Sequence, residues 1–265
     1  MTHDPDAART GAVIDTTQPH SARFWNYLLG GKDHYEVDQQ LGDYIKAHHP
    51  VVVEAARASR AFLGRAVKYL VEEAGVRQFL DIGTGLPTAD NTHEVAQRHA
   101  PESRVVYVDN DPVVLLHARA LLTSTPEGAT AYIEADVHDP DTIIAQAGET
   151  LDLSQPVALF FLSMLGHIAD PAEAAALVRR YTDRLAPGSH LVVCDSIDSP
   201  AMLKAQEGYR DSGAVPYIVR TADQIAAVAA GLDLLPPGLG PVDLWRPAGE
   251  VERPADQWGF VARKP

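Results

Sequence analysis

The stretch Asp81 to Thr88, DIGTGLPT, follows the apolar run RQFLDI that begins at Arg77 and precedes a helical pattern. A glycine pair between a strand and a helix lets the backbone turn tightly beneath a ligand at the helix start. Outward from it, the runs RVVYVD, ATAYIEAD, PVALFFLS and HLVVCDS repeat the alternation of a short apolar stretch, a turn signal and a helical stretch. These runs close on Asp81, Asp109, Asp136, Ser163 and Asp195, each one strand-helix unit beyond the last. Their near-continuous hydrophobicity predicts parallel strands with helices on both faces. Helix starts are legible at Asp111-Pro112 and Asp170-Pro171, where a capping acid precedes a first-turn proline, with Glu173 at the capping-box position. Pro187-Gly188 reads as the end of the second of these helices.

On the N-terminal side, Leu41, Tyr44 and Ile45, then Ala61, Phe62, Ala66, Tyr69 and Leu70, recur at helical spacing, with Pro50 dividing two amphipathic helices. On the C-terminal side the pattern loosens into mixed helices around Pro200 to Asp211 and Thr221 to Gly231, then a proline-rich meander. The last run, QWGFVAR from Gln257 to Arg263, follows another strand candidate without a helix between them, which predicts an antiparallel pair. The expected organisation is a mobile tail over 1–21 and one domain over 22–265, with 22–75 a helical cap and 76–265 an α/β, Rossmann-like core.

The 265 residues carry 22 basic and 36 acidic side chains, a formal charge of −14, so nucleic acid is not an expected partner. The single cysteine, Cys194, excludes an internal disulfide framework and any CxxC motif, and no metal is expected. The polar, acidic N-terminus lacks the pattern of a secretory signal. The best apolar run, Pro156 to Leu165, is about half of a membrane span. A cytoplasmic protein without a membrane partner is expected.

A dinucleotide fingerprint needs a third glycine where this chain has Thr88, and Asp81 is an odd neighbour for a pyrophosphate. Asp81 suits a ligand ammonium instead. Asp109, with Asn110 beside it, is placed for a ribose diol. Asp136 and the Val137 amide are placed for the edge of an adenine. With Gly83, Thr84, Gly85 and Ser163, these strand ends describe a crevice for adenosine carrying a cationic amino-acid tail, which is S-adenosylmethionine. GGKDHY, Gly30 to Tyr35, is not a phosphate loop, because Asn26 and Asp33 occupy positions that motif reserves for glycine and a hydroxyl. Two glycines ending a helix is the plain reading of that segment. His167, after the fourth strand, is the leading proton acceptor.

NYLLGGKDHYEVD (Asn26 to Asp38), RAFLGRAVKYLVEEAGVRQFLDIGTGLPT (Arg60 to Thr88), NTHEVAQ (Asn91 to Gln97) and VVYVDNDPVVLLHARALL (Val105 to Leu122) closely resemble an actinobacterial family of S-adenosylmethionine-dependent methyltransferases, formerly a domain of unknown function. The resemblance covers nearly the whole chain from about Ala22. It implies the class I methyltransferase fold, a seven-stranded, mostly parallel sheet whose last strand is antiparallel, with an N-terminal helical cap. It also implies a lid over Gly30 to Tyr35, with Tyr27 or Tyr35 reaching the methyl group or the acceptor and Gly31 close to the cofactor. Arg60 would pair with the cofactor carboxylate. The resemblance supplies no acceptor; a small molecule, in specialised metabolism, is the expectation. In Met164 to Asp170 the histidine stands one residue later than in relatives. That departure motivates an alternative in which the cofactor is the substrate, its aminobutyrate chain cyclising with release of methylthioadenosine. A cofactor-binding regulatory module is a further class, which an inert His167 substitution would favour.

Overall fold

The computed structural model describes residues 15–111, 113–114, 116–117, 123–210 and 212–265. Five strands carry the sheet: β1 (Gln78–Ile82), β2 (Arg104–Asp109), β3 (Ala129–Glu134), β4 (Ala158–Leu162) and β5 (His190–Ser196). They pair in parallel in the order β3-β2-β1-β4-β5, with Asp81 beside Tyr107 of β2 and Phe160 of β4. The chain therefore reverses its direction of sheet growth at β1, and the crevice beyond the carboxyl end of β1 lies at this switch point.

Three more strands, β6 (Asp233–Leu234), β7 (Gly240–Pro241) and β8 (Gln257–Arg263), complete the sheet. β8 runs antiparallel to β5, and both β6 and β7 pair antiparallel with β8. The last strand is antiparallel, as expected; β7 pairs with it as predicted, but one 3-10 turn, Val242–Leu244, stands between the two strands. The sheet has eight strands where seven were expected, because Pro236, Pro237 and Pro241 break the meander into two pairings of two residues each.

The helices are α1 (Ser21–Leu28), α2 (Glu36–His48), α3 (Pro50–Glu72), α4 (Thr92–His99), α5 (Pro140–Ala147), α6 (Pro171–Thr182), α7 (Pro200–Arg210) and α8 (Ala222–Ala227). Pro50 starts α3 at the predicted break, and the Asp170 side chain accepts from the Ala172 amide to cap α6. That helix ends at Thr182, ahead of the predicted Pro187-Gly188, and a turn follows in which Gly188 has φ +83°. Asp111 accepts from the Val113 amide at 2.9 Å, whereas Pro112 and residues 1–14 of the expected tail lie outside the described residues.

One sheet face buries Phe62, Leu70, Phe79 and Phe160 against α3 and α4, and the other buries Ile143, Leu177 and Tyr181 from α5 and α6. The long α3 thus covers the sheet, while α1, α2 and α7 share a smaller apolar cluster built on Phe24, Leu28, Ile45 and Tyr209. No helix among the described residues is long and apolar enough to cross a membrane.

A buried ion pair fastens this smaller layer. The Arg23 Nε donates to Asp38 at 2.9 Å, and the same carboxylate accepts the Tyr35 amide at 2.9 Å and the His20 amide at 2.8 Å. Removing one member of such a pair leaves the other charge uncompensated. Asp38→Ala is expected to lower stability by about 3–5 kcal/mol in urea denaturation, and a loss below about 1 kcal/mol would show that the pair behaves like a surface one.

Candidate active site

A cavity of about 340 Å³ opens at the carboxyl ends of β1, β2 and β4, roofed by α1. Asp81, Gly83, Thr84, Gly85, Asp109, Asn110, Asp136, Val137, Ser163, Arg60 and His167 all line it. Parallel strands end on the same side of a sheet, so residues distant in sequence converge at the switch point.

The loop after β1 turns through two left-handed glycines, Gly83 (φ +69°) and Gly85 (φ +66°). A side chain at Gly83 would run into Met164, while one at Gly85 would meet nothing within 4 Å. Asp109 fixes this loop, since its Oδ2 accepts the Gly85 amide and its Oδ1 the Asp111 amide, both at 2.9 Å. Burial pushes the Asp109 carboxyl up, and these two amides oppose the shift. Burial also raises Asp81 to about 6, against the Thr92 hydroxyl donating at 2.6 Å and the nearby Arg60 charge. Asp136 stands two residues beyond β3 and is exposed; the amide and ring of His138 hold its carboxyl below the ordinary range. Val137 gives its carbonyl to the Tyr181 hydroxyl at 2.7 Å. Ser163 takes a left-handed φ of +55°, unusual outside glycine, and accepts from the Gln257 amide at 2.9 Å.

Arg60 spends one guanidinium nitrogen on the Ala89 and Asp90 carbonyls, at 2.9 and 3.0 Å, while its Nε is buried without a partner. The Thr88 hydroxyl on the same cavity wall is likewise buried and unpartnered. Two orphaned donors call for an anionic group, and the carboxylates of Asp81 and Asp109 call for a cation and a diol. The donor set therefore fits a zwitterionic amino-acid tail joined to a ribose.

Tyr27 and Gly31 are not brought to the cavity. Ala22, Trp25, Asn26 and Leu29 line it, the face of α1 that recurs every three to four residues, and Tyr27 points off that face. Its hydroxyl donates to Asp43, and Lys46 lies 3.5 Å from its ring centre. Gly31 makes room for the Asn26 side chain, which any Cβ there would strike, and Gly30 (φ +85°) ends the helix.

The turn Leu165–His167 presents His167. Its Nδ1 lies 3.0 Å from the Pro216 carbonyl, which can only accept, so Nδ1 carries the hydrogen and Nε2 the lone pair. Burial lowers the His167 pKa, with the Pro216 contact opposing. Sequence reasoning missed what supports this turn. The buried Arg220 donates to the Leu165 and Ile168 carbonyls at 2.6 and 2.7 Å, and Tyr217 packs edge-on against the His167 ring while donating to Asp195 at 2.6 Å. Gly166 is required here because a Cβ would sit 2.5 Å from the Tyr217 ring. Asp195 was visible as a strand end; Tyr217 and Arg220 fall in a stretch without periodicity.

A five-stranded parallel sheet extended by an antiparallel strand, with acids on successive strand ends around a glycine turn, defines a class I methyltransferase. The family of S-adenosyl methyltransferases matches residues 7–265, and the chain belongs to it. Its cofactor is S-adenosylmethionine. Among solved structures, a DUF574 family protein from Streptomyces avermitilis is 42% identical, covering 96% of this chain and 100% of its own, with a TM-score of 0.90. A protein from Thermobifida fusca proposed to be a methyltransferase is 39% identical, covering 93% of this chain and 95% of its own, with a TM-score of 0.86. The mitomycin 7-O-methyltransferase, 16% identical with a TM-score of 0.52 over 92% of this chain and 68% of its own, shares the fold. No curated protein matches the sequence.

Because the folded Asp81 carboxyl titrates near 6, above its ordinary 3.8, its contribution to stability is greatest when protonated and falls as pH rises from about 4 to 6. Asp81→Asn is therefore expected to stabilise the free protein above pH 6, by on the order of 1–3 kcal/mol, and to change little near pH 4. Urea unfolding at pH 4 and pH 8 measures both; equal effects at the two values would refute the shift.

Proposed function

We propose that this chain transfers the methyl group of S-adenosylmethionine to a small-molecule acceptor, as an enzyme of specialised metabolism, with His167 receiving the acceptor's proton. The observation that carries the reading is the single cavity in which orphaned donors and acidic strand ends meet a histidine whose Nε2 holds a lone pair. When bound, the cofactor supplies a sulfonium methyl group for in-line displacement.

The residues divide the work by chemistry. Arg60 Nε and the Thr88 hydroxyl would donate to the carboxylate of the cofactor, and Asp81 would accept from its ammonium. Each oxygen of Asp109 already accepts one backbone amide and keeps a lone pair for the ribose diol. Asp136 and the Val137 amide take the adenine edge, with Asn110, Ser163 and Thr84 closing the wall. Gly83 and Gly85 keep the loop low enough for the cofactor to lie over it. The roof of α1 limits water, which favours displacement over hydrolysis. In domain terms, we assign 22–75 as the cap segment and 76–265 as the core.

The alternative, internal displacement releasing methylthioadenosine, was motivated by the loop at Gly166. That glycine has a packing reason in the Tyr217 ring, and an apolar recess stands beside His167, both of which favour an external acceptor.

Asp109→Ala is expected to weaken cofactor binding by about 1–3 kcal/mol in calorimetry, and unchanged affinity would remove that assignment. His167→Ala should lower turnover about 10²–10⁴-fold, followed as S-adenosylhomocysteine formation with a screened acceptor, while cofactor affinity stays within about twofold. The lowered His167 pKa places the fall in wild-type rate below the ordinary histidine value of 6.5, with a plateau above it. Incubation with cofactor alone should leave it intact; methylthioadenosine above the spontaneous rate would replace transfer with internal displacement.

A further inference from the structure

Beside the cofactor cavity lies a second one of about 50 Å³, between α1, α7 and the segment around Tyr217. Trp25 and His167 line both, so the two chambers meet at that pair. The walls of the second are Phe24, Tyr209, Tyr217, Met202 and Val219, with Ala205 between them.

Three of its polar groups are engaged by the fold. The Tyr217 hydroxyl donates to Asp195, the Gln206 carbonyl oxygen accepts the Val219 amide at 2.7 Å, and the Ser196 hydroxyl donates to Gln257 at 3.1 Å. No Asp, Glu, Lys or Arg is among the residues lining it. An ionised ligand would lose its hydration there without gaining an oppositely charged partner, which is costly. At the opening stand the Trp25 indole, which can only donate, and the His167 ring, whose Nε2 lone pair accepts. The volume holds about four water-sized groups, the far half of a six-membered ring, and leaves the near half at the junction with the cofactor cavity.

We infer that this chamber is the acceptor site and that it takes a neutral, single-ring hydroxy compound of the phenol class, ring inward and hydroxyl toward His167. The inference rests on the methyl-transfer reading and adds the substrate class to it. Transfer forms the O–CH₃ bond and breaks the S–CH₃ bond, whose electron pair stays on sulfur; the hydroxyl proton passes to His167 Nε2.

The experiment reads binding without turnover. Wild-type protein is titrated with phenol, benzoate, benzylamine and 2-naphthol by ligand-observed NMR, without cofactor, and its cofactor isotherm is measured separately. Phenol is expected to bind, the two charged compounds at least tenfold more weakly, and 2-naphthol no more tightly than phenol despite its larger apolar area. Ala205→Phe and, from another wall, Val219→Phe should each weaken phenol at least tenfold while cofactor affinity stays within twofold. Equal binding of the charged compounds, tighter binding of 2-naphthol, or unchanged phenol affinity in a filled variant that keeps its cofactor isotherm would overturn the assignment. A wild-type protein that binds phenol and no cofactor would sink the methyl-transfer reading alone.

Discussion

One carboxylate organises the cleft. Asp109, at the end of β2, accepts from Gly85 in the loop after β1 and from Asp111 in its own loop. Asp111 in turn lies 3.0 Å from the His20 ring at the start of α1, and despite burial the ring holds its carboxyl below the ordinary range. A continuous set of charge-assisted contacts thus joins the glycine loop, the second strand and the roof helix. Ala22 then packs on Leu86, Val113 and Val114, so apolar contacts fasten the roof helix at the same corner.

That arrangement has an electrostatic cost which makes chemical sense. Asp81 and Asp109 line one cavity with Asp111 buried behind them, and the first two are pushed toward their neutral forms. Carboxylates crowded together favour a cation among them, and the one that acts on Asp81, Arg60, has its own pKa lowered by burial and an unpartnered Nε. Both signs of charge thus stand desolvated on one cavity wall, the arrangement that a zwitterionic ligand matches. Stability is stored away from the cleft, in the apolar layers on the two sheet faces.

The parts of this design that were legible in the sequence are those fixed by strand geometry. β1 to β5 read as near-continuous apolar runs because both faces are covered, and Asp81, Asp109 and Ser163 fell at or just past strand ends because such ends must meet solvent or ligand. Helix faces were harder. Tyr27 and Asn26 are neighbours in sequence, yet about 100° of rotation separates them, so the cavity receives the amide and the tyrosine turns to Asp43. Gly31 serves that amide rather than the ligand. The short strands β6 and β7 lie in a proline-rich meander, where two-residue pairings leave no periodic trace.

The segment beyond Asp195 was the least legible and governs what happens beside the cofactor. Arg220 reaches across some fifty residues to fasten the Leu165 and Ile168 carbonyls, with its Nε 3.7 Å from the Asp195 carboxylate. Asp195 itself, raised to about 6 by burial, is held by the Tyr217 hydroxyl. Neither residue belongs to an amphipathic stripe, since each is buried for its polar head and the sequence around it shows no period. The turn at His167 is therefore held from a distance: two long-range polar contacts fasten it, and Gly166 leaves the room that the Tyr217 ring needs. The turn is fastened from outside the five parallel strands, so the site's chemistry sits on a segment separate from the sheet that carries it, as is general where one fold hosts different functions.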